Sequence, residues 1–255
     1  MNEKIQTIFE NSNNLYNDFV SQQNFVEEVA EIGKTYGSVF NAPFKELRLV
    51  ATDMVNFVFA SPIYEGDLFV HDKTAEGLGR VLLAIPSKEE AEKYAENSNC
   101  EMVYLNFADI LYLFDAINVD AIALFFSDGV IEIDKEDFNK LLFVYQAPTP
   151  DIDYIVGAPS EDYSKATEEI TKALSSQESV QSMWLYHVVE IPKDDSQKMF
   201  DIIIVDTTIE DYFAVKNQIQ NIVYSTNEHI IKVFLKDSDF GNFLSSNNIE
   251  PFYKK

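Results

Sequence analysis

A single cysteine, Cys100, serves the whole chain, so no internal disulfide can staple it and no cysteine cluster can hold a metal. Basic residues are scarce too: 19 Lys and Arg stand against 43 Asp and Glu, a formal charge of -24. That balance repels a phosphate backbone or an anionic membrane, and no Lys/Arg block overcomes it locally. Nucleic acid and membrane are thereby excluded as expected partners. A basic protein fits better, although solubility alone is the plainer reading of the acidity. Long apolar runs are missing as well; stretches such as 55–60 and 121–126 fall far short of the roughly 18 residues a helix needs to cross a bilayer. The opening Met1-Asn2-Glu3-Lys4 lacks the basic-then-apolar layout of a secretory signal, so a cytoplasmic location is expected.

The common catalytic signatures are absent. There is no G-x-x-x-x-G-K-[ST], no G-x-S-x-G and no H-E-x-x-H, which argues against a phosphate cradle, a hydrolase elbow and a zincin helix. Gly77-Leu78-Gly79 lacks the third glycine of a nucleotide fingerprint and precedes a strand instead of following one. His71, His187 and His229 form no i, i+4 pair; His187 lies in an apolar strand, where a hydrogen-bonded structural role is expected. His71-Asp72 reads as a solvated loop pair and Cys100 as an inert thiol. Adjacent carboxylates such as Glu89/Glu90 and Asp194/Asp195 are too common here for any to stand out as an acid-base pair. The expectation is a non-enzymatic chain with no cofactor and no metal.

What is present is ample material for a core: 46% hydrophobic residues, including 13 Tyr and 20 Phe. The clearest stretch is 81–142. Val81-Leu82-Leu83-Ala84-Ile85 reads as a strand buried on both faces, and Pro86 stops it. Ser87 and Glu90 have capping-box spacing ahead of a helix with Ala91, Tyr94 and Ala95 on one face. A strand at 102–105 leads to Asn106, a helix cap, and then to a stripe of Phe107, Ile110, Leu111, Phe114 and Ile117. Strands at 121–126 and 130–133 flank Ser127-Asp128-Gly129, a hairpin signal, and Asp134 caps a helix carrying Phe138, Leu141 and Leu142. The first three strands of this α/β unit are expected to run parallel.

Ahead of it, residues 1–40 read as helix, with Ile5, Ile8 and Phe9 in one stripe and Phe25, Val29 and Ile32 in another, broken by the polar 11–14. Strands are expected at 47–51, 55–60 and 67–70, with a loop at 71–79. Pro148 and Pro150 mark a boundary, giving an N-terminal α/β domain with a mixed sheet over 1–147 and a second domain over 148–255. There, a strand at 154–156, a helix capped by Ser160 with Tyr163, Ala166, Ile170 and Leu174, strands at 180–189 and 200–205, a helix with Tyr212, Val215, Ile219 and Ile222, and a strand at 230–235 follow one another. That β-α-β-β-α-β order suggests a ferredoxin-like domain. A helical turn at 238–244 and a tail complete it. Three aromatics are candidate interaction residues: Trp184, either exposed beside Tyr186 or packed under helices, and Phe252 and Tyr253, which either dock back or are presented to a partner.

Ala84-Ile85-Pro86-Ser87-Lys88-Glu89-Glu90-Ala91, Leu105 to Leu111, 121–133 and the tail Pro251-Phe252-Tyr253-Lys254 together resemble the enhanced serine sensitivity (SseB-type) family over residues 80–255. The resemblance implies a two-domain cytoplasmic bacterial protein tied to amino-acid homeostasis, and carries no catalytic residues. Where relatives tend to show Asn-Pro after the third strand, this chain has Phe125-Phe126-Ser127-Asp128-Gly129, which puts in doubt any binding role of that loop. Three readings stand open: an interaction or regulatory protein, a small-molecule sensor for an amino acid or metabolite, and an enzyme of unrecognised type.

Overall fold

The computed structural model describes residues 2–22, 25–74, 77, 79–126, 129–159, 161–193 and 196–255. The readings placed on Leu78, Ser127, Asp128, Ser160, Asp194 and Asp195 lie outside them. The chain divides into two compact units, Met1–Tyr145 and Gln146–Lys255, each of mixed α/β type with a mixed sheet.

The first unit opens with α1 (Glu3–Ser21), which runs unbroken through the polar 11–14. Ser12 is buried there because its hydroxyl accepts the Tyr104 N–H at 2.6 Å, so a polar residue occupies a core-facing position with its bond satisfied. After α2 (Phe25–Tyr36) and a single 3-10 turn, Val39–Asn41, comes α3 (Phe44–Asn56). This corrects the strand expected at 47–51: Val50, Ala51, Met54 and Val55 lie buried on one helix face, and a short apolar run does not distinguish strand from helix.

Strand β1 (Val58–Tyr64) follows, then β2 (Asp67–Leu68), β3 (Val70–Lys73), which takes His71 out of the expected loop, and β4 (Gly79–Ala84). Helix α4 (Lys88–Ser98) has Ser87 at its N-cap without a side-chain cap bond. Next are β5 (Glu101–Asn106) and α5 (Phe107–Ala116), where Asn106 and Asp109 close a full capping box. Strands β6 (Ala121–Phe126) and β7 (Gly129–Asp134) form an antiparallel pair, and α6 (Lys135–Tyr145) starts where the Asp137 N–H donates to Asp134 Oδ1 at 2.7 Å. Phe107 stacks on Phe138 with centroids 4.1 Å apart, both fully buried, each worth about 1.5–3 kcal/mol of burial.

Strand β4 pairs with β6 in parallel and with β3 antiparallel, while β1 pairs antiparallel with β5 and β2. The two groups meet at one antiparallel bridge: Ala60 N–H to Ile85 O at 2.9 Å and Ile85 N–H to Ala60 O at 2.7 Å. Strands β4, β5 and β6 therefore share one direction, but β1 is inserted between β5 and β4.

The second unit contains β8 (Asp153–Gly157), α7 (Ser164–Leu174), β9 (Ser182–Ile191), β10 (Lys198–Asp206), α8 (Ile209–Asn227), β11 (Lys232–Leu235), α9 (Asp239–Ser245) and β12 (Tyr253–Lys254). The chain order is that of a ferredoxin-like domain, yet the pairing is not. In a split βαβ the first two strands run parallel with another between them; here β8 and β9 are antiparallel neighbours, and the sheet runs β8-β9-β10-β11 in sequence order. The reason lies in lengths. Gly157 lies opposite His187, Tyr163 just before α7 reaches Asp201, the partner of His187, and Gln177 beyond α7 touches Lys255 beside Ser182. Strand β8 and helix α7 thus run on in one direction along the ten-residue β9, which must return antiparallel.

One face of this sheet buries Tyr186, Val188, Ile202 and Ile204 under Phe240 and Leu244 of α9. Gly241 lets α9 settle there: a Cβ would lie 2.1 Å from the Leu235 carbonyl oxygen.

Candidate functional site

A sheet must end somewhere, and its outermost strands present unpaired N–H and C=O groups that invite another strand. Most of the outer strands here are covered or short. The Tyr104 N–H of β5 is taken by Ser12. On β11, Tyr212 donates to Val233 O at 2.8 Å, Gln220 Nε2 to the neighbouring Ile231 O at 2.9 Å, and Gln146 Oε1 accepts the Leu235 N–H at 2.9 Å. Strand β3 has four residues, three of them His71, Asp72 and Lys73.

Strand β7, like the five-residue β8, has no such guard among the described residues. Among them β7 pairs only with β6, over six residues, and it contains neither Pro nor Lys. Only two residues separate Phe126 from Gly129, so that pair must exchange both backbone bonds, as must Leu124 with Ile131 and Ile122 with Ile133. The N–H and C=O of Val130 and Glu132 consequently point away from β6. Among the described residues no hydrogen bond to these groups is seen.

Beside this edge runs a cleft of ≈ 430 Å³, walled by Ala30, Gly33 and Lys34 of α2, by Ser38, Val39 and Phe40, and by Phe126 and Gly129 to Glu132. Alternation along the strand sends Ile131 to the same face as Phe126, toward this cleft, and Val130, Glu132 and Asp134 to the other. Val130 is 49% exposed. On that other face Glu132 pairs with Lys73 across the small residues Val81, Ala121 and Ala123. A hollow nearby gathers Asp120, Glu132, Asp134 and Asp137. Each carboxylate already has a partner: Asp120 the Arg80 N–H, Asp134 the Asp137 N–H, Asp137 Lys140 and Glu132 Lys73.

In the second unit the fold joins two histidines that the sequence left scattered. His187 Nδ1 lies 2.8 Å from Asp201 Oδ1, Tyr163 donates to Asp201 Oδ2 at 2.8 Å, and the same Tyr163 oxygen lies 2.5 Å from His229 Nε2. Tyr163 has one proton and gives it to Asp201, so the bond to His229 needs a proton on Nε2. Burial and the adjacent Asp201 push the Tyr163 hydroxyl well above its ordinary value. His229 Nδ1 faces the Asn227 carbonyl at 3.2 Å and Glu161 Oε2 at 3.6 Å. The chain of side chains ties the start of α7 and the end of α8 to the β9–β10 pair.

The other sequence-named residues are dispersed. His71 lies exposed on β3 near Phe69, and Cys100 is half-buried and free. Trp184 sits half-buried against the core under α9, with Lys236 Nζ 5.8 Å from its ring. Tyr253 belongs to β12, paired with Met183, and the next two residues continue the contact through Lys255 N–H to Gln181 O at 2.9 Å. Phe252 and Tyr253 are half-buried on the body. Asp109 has its carboxyl pushed up to about 6 by burial, and it closes the cap of α5. Among the described residues no group of three or more His, Cys, Asp or Glu is placed to hold a metal ion, and no helix is long and apolar enough to cross a membrane.

No protein family, curated protein or solved structure matches this chain.

Proposed function

We propose that this chain is a non-enzymatic interaction or regulatory protein of the cytoplasm, of the enhanced serine sensitivity type that its sequence resembles, and that its first unit docks a protein partner. One observation carries the reading: the uncovered edge of β7 beside a largely apolar cleft, whereas on β5, the outer strand of the other sheet of this unit, Ser12 of α1 takes the Tyr104 N–H. The formal charge of -24 favours a basic partner. The test is a pull-down from cell extract at low and moderate salt with the full chain and with Ala30→Trp, which fills the cleft. A saturable partner lost on Ala30→Trp is expected; no partner, or one indifferent to the substitution, would refute the reading.

The cleft volume also lies in the range of small-molecule sites, about 300–1,000 Å³, which keeps a metabolite sensor as the second reading. A ligand bound only by the folded state raises the melting temperature. A thermal shift with an amino acid, abolished by Ala30→Trp, would favour the sensor over the docking protein.

A further inference from the structure

The geometry points to a specific kind of occupant for this edge: an extended segment of another protein that adds to β7 as a new strand, with basic side chains on one face and apolar side chains on the other. The inference rests on the docking reading above and goes beyond it by fixing the partner's conformation and pattern.

The backbone supplies the first half of the case. The outward groups of Val130 and Glu132 lie about 7 Å apart, the two-residue repeat of a strand, so an added strand meets donor and acceptor in register at both. A helix offers no matching backbone groups, since its own are already bonded. Glycine at 129 and the β-branched Val130, Ile131 and Ile133 leave the edge without a bulky or proline guard.

Side chains supply the second half. A strand added to β7 alternates its side chains between the two faces of the sheet. On the face of Ile131 and Phe126 they enter the cleft against Ala30, Val39 and Phe40, which calls for apolar residues. On the opposite face they lie beside Glu132, already paired with Lys73, and beside Asp134, whose carboxylate accepts a neutral backbone N–H from Asp137 and so keeps its charge, which calls for Lys or Arg. Apolar and basic residues in strict alternation satisfy both faces.

A second copy of the chain is the obvious rival, because two β7 edges can pair with each other. Charge decides against it. Each copy carries -24, and antiparallel pairing of two β7 strands brings the Glu132 and Asp134 carboxylates of both copies onto one continuous sheet.

The probe is a labelled peptide, acetyl-Lys-Val-Lys-Val-Lys-Val-amide, titrated into the full-length chain by fluorescence anisotropy, with amide NMR shifts read at Val130 and Glu132. Four comparison peptides accompany it: a block version with the Lys and Val residues segregated, a Glu-for-Lys version, and two versions N-methylated on one or the other alternate set of peptide nitrogens. Saturable binding of the alternating Lys-Val peptide is expected, at least about tenfold tighter than the block or Glu versions, as desolvated backbone bonds and charge pairs require. One N-methylated set must lose binding and the other keep it, a result that leaves the protein untouched. Val130→Pro, which removes an outward N–H at a position where an edge strand tolerates proline, should weaken binding by a similar factor with an unchanged melting temperature. Equal binding of the block peptide, or equal loss from both N-methylated sets, would overturn strand addition. A dimer forming through β7 in the absence of peptide would assign the edge to a second copy. A cellular partner lost on Ala30→Trp but retained on Val130→Pro would leave the docking reading standing and strand addition refuted; no partner and no peptide binding would refute both.

Discussion

Replacing Asp109 by asparagine should make this protein more stable at neutral pH, and the reason is its own capping box. Asp109 Oδ2 accepts the Asn106 N–H at 2.9 Å, while its N–H donates to Asn106 Oδ1, closing the first turn of α5. Burial pushes the carboxyl from 3.8 up to about 6, against the smaller lowering pull of the Asn106 N–H. A rise of that size corresponds to about 3 kcal/mol of destabilisation of the charged form. The sign follows from proton counts. Between about pH 4 and 6 the folded chain holds a proton at Asp109 that the unfolded chain has released, so this residue's contribution to stability falls as pH rises through that window and is flat above it. An asparagine side chain in its place keeps an amide oxygen for the Asn106 N–H and carries no charge to desolvate. The helix N-terminus returns about 0.3–1 kcal/mol to the carboxylate, so the net gain expected from Asp109→Asn near neutrality is about 2–3 kcal/mol. Urea unfolding of wild type and variant across that window measures it, and the difference between the two isolates Asp109 from the other carboxylates. A variant less stable than wild type near pH 7, or a difference that does not vary with pH, would refute the argument.

Other substitutions follow from single contacts. Tyr163→Phe removes the hydroxyl shared by Asp201 and His229 and should cost about 1–3 kcal/mol in thermal or urea unfolding, because both partners stay half-buried with a bond missing. Gly241→Ala forces a Cβ against the Leu235 and Lys236 carbonyl oxygens and should lower stability by about 1–3 kcal/mol, with loss of near-UV aromatic signal from the Tyr154 and Phe240 cluster. Ser12→Ala leaves the Tyr104 N–H without its acceptor; about 1–3 kcal/mol of destabilisation is expected, with faster amide exchange at Tyr104 as the specific mark.

Local chemistry was readable from sequence at several places where a bond closes within a few residues, though not at Ser87, which heads α4 without a side-chain cap bond. Asn106 as a cap, Asp134 ahead of α6, and the buried stripes of Phe107 to Phe114 and Tyr163 to Leu174 all follow from spacing alone. Failures came where an apolar run was short or a partner distant. Residues 47–51 fit a strand until the helical repeat to Met54 and Val55 is included. The β-α-β-β-α-β order says nothing about which strand neighbours which, and a five-residue β8 beside a ten-residue β9 settled that in favour of a sequential sheet. Nor does anything near residue 84 announce that β1 will join β4 through Ala60 and Ile85.

The candidate site was hidden for a deeper reason. Gly129 to Asp134 alternates like any half-buried strand, and being an edge is not a property of its own residues. It depends on which side chains elsewhere reach the ends of the sheet: Ser12 covers a strand 92 positions away, and Gln146 one 89 positions away. No such guard meets Val130 or Glu132 among the described residues. The distinction therefore lies in where covering side chains were placed and where none was, which only the folded arrangement reveals. A guard supplied artificially should act accordingly: Val130→Lys puts a charge on the exposed side of β7, in keeping with the way natural edges are blunted, and should leave the fold intact while weakening the Lys-Val peptide through repulsion. Unchanged peptide affinity in that variant, with the fold confirmed by its melting temperature, would place the peptide somewhere other than β7.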